Sequence, residues 1–363
     1  MILHLYFARR FLSAFVAILS GFAIFMWLIE LLEHIRRFDS DQVSFGQLAY
    51  MAILHVPEVL YQVLDLVVLL TTLTMFISLS RSNEFVIVRA TGRSALRSLV
   101  APVLAAAMVG AAIIAIGNPF VAAVSKKYNA EENRLRGSEQ VVSVSREGLW
   151  LRQGRSDTQT AIHAESSNLD GTRLYGVTFY GFSNDDTPLY RITASSAALA
   201  SGVWLVTGAK RWTFGDGNPE ANAETVATLR VPTDLTRDQI RDSFGTPSAI
   251  PIWDLPEFIA RLEAAGFSAR SHRVWLQSEL AKPLGFVAMV LIGAAFTLRH
   301  NRFGRTGLMV LFAVLSGFGV YFVGNLARLM GDSGQLPIAV AVWGPPVAAI
   351  CLTLALLLHL EDG

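Results

Sequence analysis

Four uncharged runs, residues 11–29, 98–125, 306–327 and 333–358, constrain this chain more than any other feature. Each is long enough to cross a bilayer as a helix, which takes about 20 residues. Two further segments join them. Residues 46–80 have an uncharged core from Leu66, with polar interruptions before it, and residues 274–298 are broken only by Glu279 and Lys282. Six candidate spans follow, three on each side of a long central segment. The N-terminal ten residues lead into the first run without a small-residue cleavage site, so a retained membrane helix is expected.

Charge is distributed to match. Residues 126–273 hold 35 of the 59 charged side chains. The chain is therefore two media in sequence, which excludes a cytosolic enzyme and a purely secreted domain. A net charge of +1 gives no footprint for nucleic acid. The single cysteine, Cys351, lies in an apolar run and permits no intrachain disulfide.

Lysine and arginine in short loops set orientation. With the N-terminus inside, the inner segments hold Arg9, Arg10, Arg81, Arg89, Arg93, Arg97, Arg299, Arg302 and Arg305, against Arg36, Arg37 and Arg328 outside. Both termini are expected inside and the central segment outside.

Between residues 137 and 229 the pattern turns to short alternating runs. Strands are expected at 141–145, 149–152, 174–180, 189–193, 203–206 and 224–229, with turns at Asp170-Gly171, Ser201-Gly202 and Asp216-Gly217. Close spacing without a helical period predicts a sandwich or jelly roll. His163 is expected to be structural. Residues 234–271 look like a linker with a short helix or two. The layout is then residues 1–125 with spans one to three and an inner helix near 82–92, residues 126–271 as β domain and linker, and residues 272–363 with spans four to six.

Several side chains invite a function. The segment around Glu84, Phe85, Arg89 and Gly92 suits a short amphipathic helix, either a plain surface helix or a docking element. His55, Glu58, Gln62 and Asp65 fall within about 80° of one helical face. Such a face is costly toward lipid, so it either packs inside the bundle or lines a transport pathway. Glu279 and Lys282 stand one turn apart, and an intrahelical ion pair near the outer interface is expected. Arg36, Arg37, Lys126 and Lys127 flank spans one and three; they either snorkel to lipid phosphates or select an anionic amphiphile. The sequence has no G-x-x-x-x-G-K-[ST] loop, no H-E-x-x-H and no C-x-x-C.

Four local patterns resemble the LptF/LptG family of lipopolysaccharide export permeases, over essentially the whole chain. They are Tyr6-Phe7-Ala8-Arg9-Arg10-Phe11-Leu12, Arg81-Ser82-Asn83-Glu84 through Ala90-Thr91-Gly92, Glu147-Gly148-Leu149-Trp150, and Glu279-Leu280-Ala281-Lys282-Pro283-Leu284. Gly148-Leu149-Trp150 and Gly202-Val203-Trp204-Leu205 are more similar to the G-type than to the F-type. The resemblance implies a helical inner-membrane protein of six spans with an inserted periplasmic jelly-roll-like β domain. It implies a non-catalytic subunit with no cofactor of its own, pairing with an F-type paralogue. Its further partners would be a dimeric cytoplasmic ATPase that binds ATP and Mg, a periplasmic bridge protein and a single-span accessory subunit. By the same resemblance Glu84 sits on the coupling helix, spans one and five form lateral gates, and Arg36, Arg37, Lys126 and Lys127 face the glycolipid's phosphates. Phe25 and Phe318 would then lie along its acyl chains.

Two departures stand out. The family's G-type often has a cavity-facing lysine in span one, where this chain reads Trp27-Leu28-Ile29-Glu30; and a proline usual about seven residues after Pro57 is here Asp65. The alternatives are a lipoprotein-releasing type of permease, which usually has four spans, or a periplasmic scaffold that transports nothing.

Overall fold

The computed structural model describes residues 2–37, 43–82, 84, 95–136, 142–145, 148–155, 158–168, 171–183, 187–215, 218–236, 240, 247–264, 268–297 and 306–362. The chain divides into two compact units, one of Met1–Asn129, Ser248–Trp253 and Arg273–Gly363, the other of Ala130–Pro247 and Asp254–His272.

The first unit is helical. Its elements are α1 (Ile2–Arg37), α2 (Phe45–Gln62), α3 (Leu64–Arg81), α4 (Ala95–Ala112), a π-helical turn (Ile113–Gly117) and the greater part of α5 (Asn118–Arg136), whose last turns from Ala130 belong to the second unit. After the inserted unit, which holds the short α6 (Leu255–Ala264), come α7 (Arg270–Thr297), α8 (Thr306–Asp332) and α9 (Ile338–Asp362). Among the described residues six helices are long and apolar enough to cross a membrane: His4–Arg37, Leu64–Arg81, Arg97–Glu132, Arg270–Thr297, Gly307–Asp332 and Ile338–His359.

The second span departs from the continuous segment expected over residues 46–80. It is two helices, α2 and α3, divided at Val63, whose φ of −104° and ψ of 8° fall in the sparsely populated bridge region. Pro57 lies inside α2 without ending it. Ser44 starts α2 with a capping box: its hydroxyl accepts from the Gln47 backbone, and the Gln47 amide oxygen accepts from the Ser44 backbone at 3.0 Å.

Buried apolar side chains of α1, α3, α4 and α7 form one core, with Phe7, Phe11, Leu69, Leu79, Ala105 and Phe286 among them. At one crossing the backbones come unusually close. A Cβ on Gly110 of α4 would stand 2.7 Å from the Pro283 Cα of α7. Because the obstacle is backbone, no rotamer change relieves it. Gly110→Ala is expected to cost about 1–3 kcal/mol, the range for overpacking, seen as a lower denaturation midpoint of the detergent-solubilised chain.

The inserted unit carries a seven-stranded antiparallel sheet: β1 (Val142–Ser145), β2 (Gly148–Arg155), β3 (Thr158–Ser167), β4 (Arg173–Ser183), β5 (Pro188–Ala200), β6 (Val203–Thr213) and β7 (Glu224–Pro232). All six expected strands are present, most of them longer than the sequence pattern indicated. β3 is additional. The strands lie side by side in chain order, a meander. Among the described residues each strand pairs with its sequence neighbours, so the expected inserted β domain is present as one antiparallel sheet in chain order.

Register lines up the core. Leu151, Ile162, Phe179 and Ile192 are successive cross-strand partners on β2 to β5, and all four are buried. The opposite face carries Trp150 against His163, ring centroids 4.6 Å apart, and Arg191 over the rings of Tyr180 and Trp212. His163 is thus a sheet-face packing residue. Gly176 and Gly208 take the left-handed conformation, with φ of 59° and 66°, and the register is the same on either side of each; the shift in register lies instead between Gly181 and Phe182 of β4.

Candidate functional site: a polar cavity and a charged latch in the helical unit

The α2–α3 break and the helices α7, α8 and α9 enclose a cavity of about 430 Å³. Three of the four residues of the polar face reach it: Glu58, Gln62 and Asp65. Glu58 accepts hydrogen bonds from Ser125 at 2.6 Å and from Ser248 at 3.0 Å. Asp65 lies in the first turn of α3, and one of its carboxylate oxygens is buried without a hydrogen-bond partner among the described residues. Gly285 makes room for it, since a Cβ there would lie 3.1 Å from that oxygen. His55 goes elsewhere, its Nδ1 2.6 Å from a Glu30 oxygen on α1. The stripe is therefore divided between an interhelical contact and a cavity wall.

Glu279 and Lys282 are paired at 3.0 Å, as their spacing predicted. Their surroundings differ from the expected interface position. Glu279 is 1% exposed, accepts a hydrogen bond from Tyr61, and lines the cavity together with Lys282. The Lys282 ammonium lies 3.3 Å from the centroid of the Tyr61 ring. A buried, hydrogen-bonded pair against an aromatic face is far more costly to break than a surface pair.

Sequence reasoning missed the rest of the wall. Arg328 looked like an outer-loop cation, yet it lines the cavity from α8 with Asn325 and Tyr321. Trp275 and Ser278 each line it with a buried polar atom unpartnered among the described residues. A signal was available: Ser278, Glu279 and Lys282 follow Trp275 at helical spacing. The π-helical turn anchors the strap formed by residues 248–253, with the Trp253 indole donating to the Ala115 carbonyl at 3.3 Å and the Ile252 backbone to Asn118 at 2.8 Å.

Glu84 belongs to a second cluster. Tyr6 donates to one carboxylate oxygen at 2.7 Å, and the Arg10 guanidinium lies 3.3 Å from the other. Arg10 also donates to Tyr6 and, at 2.8 Å, to Ser78 on α3. The Tyr6 hydrogen bond, then that of Ser82 and the Arg10 charge, hold the Glu84 carboxyl below its usual range. Stability from this contact is full above the ordinary carboxylate pKa and is lost as pH falls through the depressed value. Phe85, Arg89 and Gly92, expected on the same short helix, lie outside the described residues.

The remaining expected residues are dispersed on helix surfaces. Arg36 and Arg37 are exposed at the end of α1, Arg37 3.6 Å from Glu33. Lys126 is exposed on α5, and Lys127 lies 5.4 Å from the centroid of the Tyr50 ring. Phe25 on α1 and Phe318 on α8 are 56% and 54% exposed. Near the far end of α1 the rings of His34, His55 and Tyr128 stack, with Tyr128 and His55 4.5 Å apart.

Six membrane-length helices, an inserted antiparallel β unit and charged residues gathered inside the helical unit define a polytopic membrane protein, one class of transport component. No group of three His, Cys, Asp or Glu side chains suited to a metal occurs among the described residues. The chain belongs to the lipopolysaccharide export system permease LptF/LptG family, whose model matches residues 5–359. That match spans both types and does not distinguish the G-type from the F-type. No curated protein matches the sequence. Family membership makes the chain a multi-pass inner-membrane permease component of a lipopolysaccharide export system.

Proposed function

We propose that this chain is one of two permease subunits of an ABC-type exporter that extracts lipopolysaccharide from the inner membrane and passes it to a periplasmic bridge. One observation carries the reading. Of the most apolar window of each span, only 6% is buried in α1 and 11% in α8, against 56% in both α3 and α7. The first and fifth spans thus each pack one side on the core and leave most of their remaining apolar surface uncovered by the rest of the chain. Exposed apolar surface of this extent on a transmembrane helix is satisfied by acyl chains or by another helix. A paralogous F-type subunit and the glycolipid's acyl chains together meet both needs, with Phe25 and Phe318 at the contact.

The positive-inside distribution supports a topology with both termini in the cytoplasm and the β unit in the periplasm. Arg36, Arg37, Lys126 and Lys127 then stand at the outer headgroup level, where phosphates are recognised by such cations. The chain has no phosphate loop of its own, so ATP and Mg are assigned to a dimeric cytoplasmic ATPase. Glu84 and the residues after it dock that ATPase, and a bridge protein and a single-span accessory subunit complete the assembly. The charge distribution also supports this reading over a periplasmic scaffold, which has no use for buried charges along a membrane cavity.

Co-purification tests the docking role. Glu84→Ala is expected to lower the amount of ATPase recovered with the membrane complex while the chain still inserts. Recovery equal to wild type would remove Glu84 from the ATPase interface.

A further inference from the structure

We infer that Tyr6, Arg10 and Glu84 form a latch that ties the start of α1 to the end of α3, so that a displacement at the α3 exit is carried into α1. Both carboxylate oxygens of Glu84 are engaged by α1, one by the Tyr6 hydroxyl and one by the Arg10 guanidinium. Arg10 reaches back to Ser78, so a single side chain bridges the last turns of α3 and the residue beyond them. Tyr6 and Arg10 are four residues apart and share a helix face.

The burial pattern of α1 turns this contact into a lever. Phe7, Phe11 and Phe15, spaced by four, are buried in the core beside Leu79 and Leu99. From residue 16 to residue 30 no side chain of α1 is fully buried, although Ile18, Leu19 and Phe22 pack partly against the core, and full burial resumes at Leu31 and His34. Near that end Glu30 is bound to His55 of α2. The helix is therefore held most firmly at two places, with a more loosely covered apolar stretch between them. Pulling Tyr6 and Arg10 turns the phenylalanine row within its packing, and a continuous helix passes that turn to the loosely covered stretch. Tyr6 and Arg10 are positioning residues: neither lies in the cavity, and each acts through Glu84.

The functional arm of the test rests on the ATPase-driven reading above; the structural arm does not. Arg10→Ala, Glu84→Ala and the double variant are compared by thermal unfolding of the full chain in detergent. The latch predicts that the double variant melts no lower than the worse single variant. Additive losses would overturn it. In proteoliposomes of the complete complex, Arg10→Ala is expected to retain the ATPase at wild-type stoichiometry. Lipopolysaccharide released per ATP hydrolysed should fall on the order of fivefold, within the usual size of a coupling between sites. Arg10→Lys, which keeps the charge, recovers most of it, and Tyr6→Phe gives an intermediate loss. Wild-type release per ATP from Arg10→Ala would overturn the latch. If wild-type chains neither bind an ATPase nor release lipopolysaccharide, the transport reading fails instead, and the thermal comparison still decides the latch.

Discussion

Lys282→Met is expected to destabilise the helical unit by about 3–5 kcal/mol, the cost of removing one partner of a buried ion pair. Glu279 is almost fully enclosed and would be left with the Tyr61 hydroxyl as its only hydrogen-bond donor among the described residues. The Tyr61 ring would also lose the ammonium that now lies over it. Denaturant titration of the full chain in detergent reads the loss. A double variant, Glu279→Leu with Lys282→Met, separates two causes. If the cost comes from a stranded charge, the double variant recovers much of it, because apolar replacements of a buried pair are often tolerated. If it comes from lost packing at Pro283 and Tyr61, the double variant is as weak as the single one.

Phe179→Ala should cost a similar amount, about 3–5 kcal/mol, but in the β unit alone. Phe179 is fully buried at the centre of β4, between Ile162 and Ile192 on the neighbouring strands. Truncation removes the largest member of that cross-strand row and leaves a cavity that a hydrogen-bonded sheet cannot close. In calorimetry of the full chain, the transition of the inserted unit should move down on the order of 10 °C. The transition of the helical unit should hold its position. A joint shift of both would show that the two units do not unfold independently.

Much of this architecture is legible in the sequence, because membrane helices are written as uncharged runs that a few loop charges cannot disguise. The inserted β unit is legible too, from alternation and Gly-containing turns. What escapes is instructive. β3 reads Thr-Gln-Thr-Ala-Ile-His-Ala-Glu-Ser-Ser, and its buried positions Thr160, Ile162, Ala164 and Ser167 include only one large apolar residue. Alternation by size is invisible to a count of hydrophobic residues. The division of the second span at Val63 has no Gly or Pro to mark it, while the Pro that is present leaves α2 unbroken. Strand order is a property of pairing, which spacing along the chain does not encode.

The site was partly legible for the same reasons. The polar face of Glu58, Gln62 and Asp65 and the pair Glu279 and Lys282 follow from helical periodicity. That they converge on one cavity with Arg328 does not, since α2, α7 and α8 are far apart in sequence and only packing brings them together. The engagement of Glu84 by Tyr6 and Arg10 is likewise a contact across more than seventy residues.

The central claim is that the helical unit handles lipopolysaccharide along the uncovered sides of α1 and α8. Photo-crosslinking tests it most directly, with a photoreactive residue placed at Phe25 or Phe318 in the complete membrane complex. Crosslinks to lipopolysaccharide from these positions, lost when the ATPase is omitted or inactive, are the predicted result. Crosslinks to phospholipid alone, unchanged by ATP, would contradict the claim and leave the chain as a membrane scaffold.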